Sequence, residues 1–489
     1  MIQKEGITLI IPPSPFLTDE RVFPTLGILK VASVLEERGT PVEVMDLSGF
    51  SNYEEVVKEH NPYRVVGITA TTPQFPQAVE IATILNERGV KTILGGSHAT
   101  MVSAAYGRDK DREILGRGTI AYNQIVDIFD TVVLGDGEEA IFEAMASEEQ
   151  IIHADRLNDP FFLKDLTAYP YPARHLIDLN TYHYTIDERE AQSLIVQLGC
   201  PFGCLFCGGR NVPSFRKLRT RTPEHVIGEL EEVIIKYGKT GFMFYDDELN
   251  ISNEGLLILL EELIKYQERN NLDLRFRGFV RTDLFTQEQA DMMYKAGFRV
   301  LLSGVESGSD SILEEMNKRT TSDINRRWVD RCRKSNIKTK ALMSLGHPGE
   351  SESTISDSLD WILHTRPDDV DWTIITEYPG SPYFDESIKY PDAEGVWVYT
   401  NEKTGNVLYS KEVNYTKEAS YYKGIPGDYS SFVWTDHLSS GRLVEMRDLC
   451  ERVSRAALKL PPIQSVAAEQ FEHSMGALPS KILRKGRTI

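Results

Sequence analysis

The sequence predicts an α/β protein built on two parallel sheets: an N-terminal doubly wound sheet over residues 1–150 and a partial six-stranded barrel over residues 191–385, followed by a small α+β region over 386–489. Two observations carry that expectation. Short apolar runs alternate with stretches of helical periodicity along most of the chain, the pattern of parallel strands joined by crossover helices. The alternation lapses between about 151 and 190, where turn formers and aromatics such as Tyr169-Pro170-Tyr171-Pro172 read as a connector. At 489 residues the chain also exceeds what a single core supports, so several domains are expected.

In the first unit the apolar runs are Ile7–Ile11, Val42–Leu47, Val65–Thr69, Thr92–Leu94 and Thr131–Leu134, and Leu26, Leu29, Ala32 and Leu35 keep helical spacing between the first two. Ligands of such sheets bind beyond the carboxyl ends of the strands. Three loops there are rich in small residues: Thr69-Ala70-Thr71-Thr72-Pro73, Gly95-Gly96-Ser97-His98-Ala99-Thr100 and Gly135-Asp136-Gly137-Glu138. Small residues let a bulky ligand approach the backbone, although glycines also serve plain strand-to-helix turns. Three such loops on one sheet edge favour a ligand, which makes Thr69, Thr71, Gly95, Gly96, His98, Thr100, Gly135, Gly137 and Glu138 candidate contacts. Pro12-Pro13-Ser14-Pro15 stands where a dinucleotide fingerprint would need glycines.

The expected barrel strands are Leu194–Leu198, Gly241–Tyr245, Leu274–Val280, Val300–Ser303, Thr339–Leu345 and Val370–Ile375. One helix between them has legible ends: Thr222 caps it, Pro223 begins it and Gly238 stops it. Beyond residue 386 a hairpin is expected between Val396–Tyr399 and Val407–Ser410, then a charged helix near Leu443–Leu458.

A net charge of −19 sets the surface against phosphate backbones, so nucleic acid is not an expected partner; the basic run Lys481, Arg484, Lys485, Arg487 reads as a solvated tail. There is no signal-peptide pattern at the N-terminus and no apolar run long enough to span a bilayer, so a cytoplasmic protein is expected. Three of the five cysteines fall within one eight-residue window, which reads as a metal site rather than a disulfide framework. Cys332 and Cys450, in helical contexts, read as ordinary thiols.

That window is Cys200-Pro201-Phe202-Gly203-Cys204-Leu205-Phe206-Cys207. Three thiolates on a short loop can hold three irons of a four-iron, four-sulfur cluster and leave the fourth iron open for chemistry. A zinc site would need a fourth ligand within finger spacing, and none follows. Here the chain resembles the radical S-adenosylmethionine (SAM) superfamily, whose signature is this Cys-x3-Cys-x2-Cys loop with an aromatic before the last cysteine. Phe244-Tyr245-Asp246-Asp247, Gly304-Val305-Glu306-Ser307-Gly308, Gly346-His347-Pro348-Gly349-Glu350 and Tyr378-Pro379-Gly380-Ser381-Pro382 look like the family's later motifs, in order. The resemblance implies a cluster on Cys200, Cys204 and Cys207 that binds SAM and splits it by one electron into methionine and a 5′-deoxyadenosyl radical. It further implies that Asp246 or Glu248 pairs with the methionyl ammonium, Glu306 accepts from the ribose, and Phe206 stacks near adenine unless it is a plain core aromatic.

The N-terminal unit is similar to the cobalamin-binding branch of that superfamily, through Pro24-Thr25-Leu26-Gly27, the Gly-Gly-x-His-x-Thr of residues 95–100 and Gly135-Asp136-Gly137-Glu138, where the branch shows Gly-Glu-Gly-Glu. No Asp-x-His-x-x-Gly occurs, so cobalamin is expected without a histidine beneath its cobalt. The resemblance implies methyl transfer to a weakly activated carbon, or phosphorus, of a small or lipid-like molecule, with an electron donor such as flavodoxin or ferredoxin. Oxidative cyclisation, ring rearrangement or carbon-carbon coupling, with or without cobalamin, is the alternative. Methylthiolation of transfer RNA would need further cysteines before Cys200, and there are none.

Overall fold

The structure, a computed structural model, describes residues 6–15, 20–419 and 430–461, and the backbone of a short strand pair, Glu472–His473 with Gly476–Ala477. The basic run at 481–487 lies outside the described residues.

Strands β1 (Ile7–Ile11), β2 (Val42–Asp46), β3 (Val65–Thr69), β4 (Lys91–Gly95), β5 (Thr131–Gly135) and β6 (Ile151–Ala154) form one parallel sheet in the order β2-β1-β3-β4-β5-β6. Helices α1 (Leu26–Glu37), α2 (Tyr53–Glu59), α3 (Phe75–Asn86), α4 (Ser97–Asp111), α5 (Arg117–Val126) and α6 (Gly137–Ala146) connect them. The strands read as continuous apolar runs because both faces are covered. Alternate residues feed opposite cores: Ile7, Leu9, Ile11, Ile93 and Val133 pack with Leu29 of α1 and Ile141 of α6, whereas Ile10, Val66, Ile68 and Leu94 pack with Ile81 of α3 and Val102 of α4.

The second sheet comprises β7 (Tyr184–Ile186), β8 (Arg189–Leu194), β11 (Gly241–Phe244), β12 (Arg275–Phe279), β13 (Phe298–Glu306), β14 (Lys338–Leu345) and β15 (Asp369–Ile374), in the order β15-β14-β13-β12-β11-β8-β7; β9 (Gln197–Leu198) and β10 (Arg219–Thr220) pair separately. All neighbours in the seven-stranded sheet are parallel except the edge strand β7. The connecting helices are α7 (Pro213–Arg216), α8 (Pro223–Tyr237), α9 (Asn253–Asn270), α10 (Gln287–Ala296), α11 (Asp310–Glu315), α12 (Ser322–Lys334) and α13 (Glu352–Thr365). The ends of α8 follow the sequence expectation: Thr222 Oγ1 accepts from the His225 amide, and Gly238 closes the helix at φ 67°. After α14 (Pro382–Asp385), β16 (Ile388–Lys389), β17 (Val396–Thr400), β18 (Val407–Lys411) and β19 (Val433–Trp434) make a small antiparallel sheet containing the expected hairpin, and α15 (Ser440–Leu458) packs on β15.

Two expectations need correction. The first barrel strand is Arg189–Leu194, not Leu194–Leu198. The chain leaves the sheet after Leu194 because the Asp246 carboxylate takes the amides of Val196 and Gln197, at 3.0 and 2.5 Å, and Gln197–Leu198 then pairs with Arg219–Thr220. The segment 151–190, read as a connector, contributes β6 to the first sheet and β7 to the second, because strands of three or four residues are too short to show periodicity.

The two sheets are locked together by buried charge. Arg117 of α5 meets Glu377 at 2.5 Å, with Ser410 of β18 on the same guanidinium at 2.9 Å, so one arginine ties the first sheet unit, the end of the barrel and the C-terminal sheet.

Candidate functional site

The cysteine loop begins at Gly199, whose φ of 92° and whose missing Cβ, which would lie 2.2 Å from the Lys217 carbonyl oxygen, make it irreplaceable in shape. The Cys200 amide donates to the Phe215 carbonyl at 2.8 Å, the Leu205 amide to the Met316 carbonyl at 3.0 Å, and Asn317 Nδ2 to the Gly203 carbonyl at 2.7 Å. The loop is thus pinned from both sides. All three thiols line a cavity of about 450 Å³ at the carboxyl end of the barrel strands. Burial pushes the Cys200 thiol up to about 11, a shift that a nearby positive charge such as bound iron would offset.

Of the expected SAM contacts, Glu248, Glu306 and Phe206 line this cavity and Asp246 does not. Asp246 points back at the chain, holding the amides after β8, and burial raises its carboxyl to about 8. Its neighbour Asp247 lines the cavity instead. Glu248 is the side chain best suited to a cationic ligand: its Oε2 is buried with no hydrogen-bond partner, and burial raises its carboxyl to about 7. Glu306 sits at φ 64°, where β13 slips register against β14, and this strained backbone turns its carboxylate inward. Lys318 Nζ donates to Glu306 Oε1 at 3.0 Å and Ser344 Oγ to Oε2 at 2.9 Å. Burial works to raise that carboxyl, but the Lys318 charge and these two hydrogen bonds leave it below its usual value. Phe206 is both wall and core, with His347 edge-on at 5.3 Å and the Ile312, Leu313 and Met316 cluster behind it.

Sequence reasoning missed Lys318, Arg281 and Asp247. Lys318 stands between Asn317 and Arg319, both left-handed at φ 53° and 58°, a kink no spacing rule announces. Arg281 lies 3.8 Å over the Phe202 ring and is held by Asp283 at 2.9 Å. Asp247 belonged to an acidic run in which only the direction of the chain after Phe244 decides which carboxylate enters the cavity.

A second cavity, of about 210 Å³, runs from the carboxyl edge of the first sheet down between the sheet and α1 and α6. Leu9, Ile28, Val31, Ile93, Val133 and Ile141 make it apolar. Of the candidate contacts, Thr69, Gly95, Gly96, Gly135, Gly137 and Glu138 stand at its mouth, together with Asp136. The glycines differ in kind. A Cβ on Gly27 or Gly95 would meet nothing within 4 Å, so these two leave space that a ligand can take; a Cβ on Gly96 would lie 2.6 Å from the Ala70 carbonyl oxygen and one on Gly135 2.3 Å from that of Ala154, so these two are demanded by the backbone. Burial, then the nearby Asp136, raises the Glu138 carboxyl to about 7.

Three candidates are not part of this cavity. Thr71 caps the turn after β3 with Gln74. Thr100 Oγ1 donates to the Gly96 carbonyl at 3.1 Å and receives the Gly135 amide at 2.9 Å, tying two mouth loops together. His98 is a core residue: its Nδ1 lies 3.1 Å from Thr72 Oγ1, Phe75 and Tyr415 flank its ring at 4.2 and 5.5 Å, and burial lowers its pKa to about 3.

Asp136 and Leu198 line both cavities, which therefore adjoin. The apolar slot with its open glycines fits a large flat ligand carrying a tail, and the thiol cavity with its orphaned carboxylate oxygen fits a cluster with a cationic amino-acid ligand.

Comparison with known proteins agrees with this pairing. Residues 194–362 match the radical SAM superfamily and residues 17–126 match the B12 binding domain. The chain is 25% identical over 399 residues to an uncharacterized methyltransferase of Pyrococcus horikoshii, covering 78% of this chain and 83% of that one. It is also 25% identical over 347 residues to the anaerobic magnesium-protoporphyrin IX monomethyl ester cyclase of Rubrivivax gelatinosus, covering 66% of this chain and 58% of that protein's length. The fold is shared with the radical SAM methyltransferase TsrM of Kitasatospora setae, solved with cobalamin and a four-iron, four-sulfur cluster bound, at a TM-score of 0.65 and 18% identity over 94% of this chain and 92% of that one. The two matched regions, one contributing lining residues to the slot in the first sheet and the other to the thiol cavity, place this chain in the radical SAM superfamily, in the branch whose barrel follows a B12-binding domain.

Proposed function

We propose that the protein transfers a methyl group to a weakly activated carbon, or phosphorus, of a small or lipid-like molecule bound where the two cavities meet. The carrying observation is that Asp136 and Leu198 line both cavities, so that the two sites adjoin. When bound, the cluster and SAM supply the one-electron chemistry that activates the substrate, and cobalamin supplies the methyl group.

The chain's own residues hold and orient. Cys200, Cys204 and Cys207 are the cluster ligands, and Glu248 receives the methionyl ammonium, which satisfies its unpartnered oxygen. Glu306, held by Lys318 and Ser344, presents a carboxylate whose remaining lone pairs accept from a ribose. Thr69, Gly95 and the 135–138 loop line the cobalamin edge, and Gly27 and Gly95 leave it room. Arg219, Phe162 and Leu163 close the wall beside Asp136 and help to keep water from the junction.

Reconstituted protein incubated anaerobically with reductant, methyl-labelled SAM and extract, then read by mass spectrometry, tests the reading. Label in a new product supports methyl transfer. Turnover to 5′-deoxyadenosine with a changed but unlabelled product supports oxidative cyclisation, the second reading, which the similarity to the Rubrivivax cyclase favours.

A further inference from the structure

A basic cleft of about 360 Å³ opens on the surface beside the cysteine loop, and nothing in the proposed chemistry uses it. Its wall holds Arg108 of α4, Leu157 from the segment after β6, Arg210, and Arg216 and Lys217 at the end of α7. Four cations on one cleft reverse the sign of a chain whose net charge is −19. Among the described residues none of the four is in an ion pair. Arg108 reaches Asn211 Oδ1 at 3.5 Å, Arg216 donates to the Pro201 carbonyl at 3.1 Å, and Arg210 Nε is buried without a partner. The carboxylate beside Asn211, that of Asp385, is occupied by Asn211 Nδ2 at 2.6 Å and the Gly380 amide at 3.0 Å. The Glu386 carboxylate lies within electrostatic reach of Arg108 and Arg210, and that of Asp385 within reach of Arg108, but neither forms an ion pair with them; four cations against these two acids leave a positive excess that favours a negative partner from outside.

We propose that this cleft is the docking surface for a small acidic protein that carries one electron, a reduced flavin or iron-sulfur carrier; the inference rests on the reading that Cys200, Cys204 and Cys207 hold a cluster. Two features place the carrier here. Arg210 lines both the cleft and the thiol cavity, and its amide donates to the Cys207 carbonyl at 3.1 Å, so a partner seated on the cleft is one side chain away from the site that needs the electron. The cleft also carries apolar surface among its cations: Leu157 is 41% exposed and Pro213 is exposed. Apolar surface mixed with charge suits a protein face, and contributions from three separate chain segments suit it better than they suit one small anion. Interfaces for electron transfer are small and charge-steered, as this one is. The carrier loses one electron, the cluster site gains it, and no atom is transferred.

The test uses cluster-loaded protein and a flavodoxin, with Arg108→Glu/Lys217→Glu as the variant, both positions exposed and outside the thiol cavity. Affinity for oxidised flavodoxin, measured by titration at low and at high salt, is expected to fall about tenfold or more at low salt, with the salt dependence much reduced. Flavodoxin-driven cleavage of SAM should fall in parallel, and cleavage driven by dithionite, which needs no docking, should keep the wild-type rate. Unchanged flavodoxin affinity in the variant, or a wild type that does not bind flavodoxin, overturns the proposal. An equal loss of the dithionite-driven rate also overturns it and assigns the cations to a small anion of the active site. Iron content and cluster absorbance, measured on each protein first, separate a failed docking surface from a failed cluster site.

Discussion

Arg219 and Asp136 form a buried ion pair of 2.5 Å in the wall between the thiol cavity and the B12-type slot, one residue from the strand that follows the cysteine loop and the other from the mouth of the first sheet. The guanidinium also donates to the Leu163 carbonyl at 2.8 Å and covers the Phe162 ring at 4.6 Å, and the Leu163 amide donates to Asp136 at 3.0 Å. Removing one partner strands the other charge away from water. Asp136→Ala is expected to cost about 3 kcal/mol of stability, and Asp136→Ala combined with Arg219→Met distinctly less than the sum of the two singles, as read by denaturant melts in a double-mutant cycle.

Cys200→Ala, Cys204→Ala and Cys207→Ala should each lose the cluster absorbance, most of the roughly four irons per chain, and all SAM cleavage, since an iron without its thiolate has no protein anchor. Cys332→Ala and Cys450→Ala, at thiols that are fully buried in the barrel core, should keep iron and activity and lose only about 1 kcal/mol of stability. Iron analysis and product chromatography decide between these outcomes.

The slot's glycines separate by mechanism. Gly95→Leu and Gly27→Leu, whose side chains would enter open space in the cavity, should lower the corrinoid retained by purified protein at little cost in stability. Gly96→Leu should destabilise the fold itself, because its Cβ collides with the Ala70 backbone at φ 101°. His98→Ala should leave the cobalt absorption spectrum unchanged, because the imidazole is packed between Phe75 and Tyr415 rather than in the slot. A changed spectrum in that variant would restore His98 as a cobalt ligand.

Glu350, buried in the loop between β14 and α13 and accepting the Gly346 amide at 2.8 Å, has its carboxyl raised by burial to about 7. A carboxyl raised on folding leaves stability intact below its unfolded value near 4.5 and removes it progressively as the pH climbs through 7. Glu350→Gln keeps an oxygen acceptor and removes the titration. Between pH 4.5 and 8 the variant should therefore gain on the wild type by an amount on the order of 3 kcal/mol, measured as the difference in urea midpoints across that range.

The sequence by itself determined the classes of structure and chemistry here. Apolar runs such as Ile7–Ile11 are legible because a strand covered on both faces has no polar side to show, and the three-cysteine loop is legible because its thiols are neighbours in the chain. Only the tertiary structure decided which side chains meet. Asp246, Asp247 and Glu248 follow one another beyond the last residue of β11, where strand alternation no longer sets direction, and the free amides of Val196 and Gln197 turn Asp246 away from the cavity. His98 shares its loop with Gly95 and Gly96 yet lies on the core side, because α4 begins at Ser97 and its first turn carries the imidazole toward Phe75. Asp136, at the start of α6, and Arg219, on β10, stand 83 residues apart, and Lys318 reaches Glu306 from between two left-handed residues. Periodicity records which face a residue occupies within its own element; contacts between elements depend on how the two sheets pack, and no local pattern encodes that.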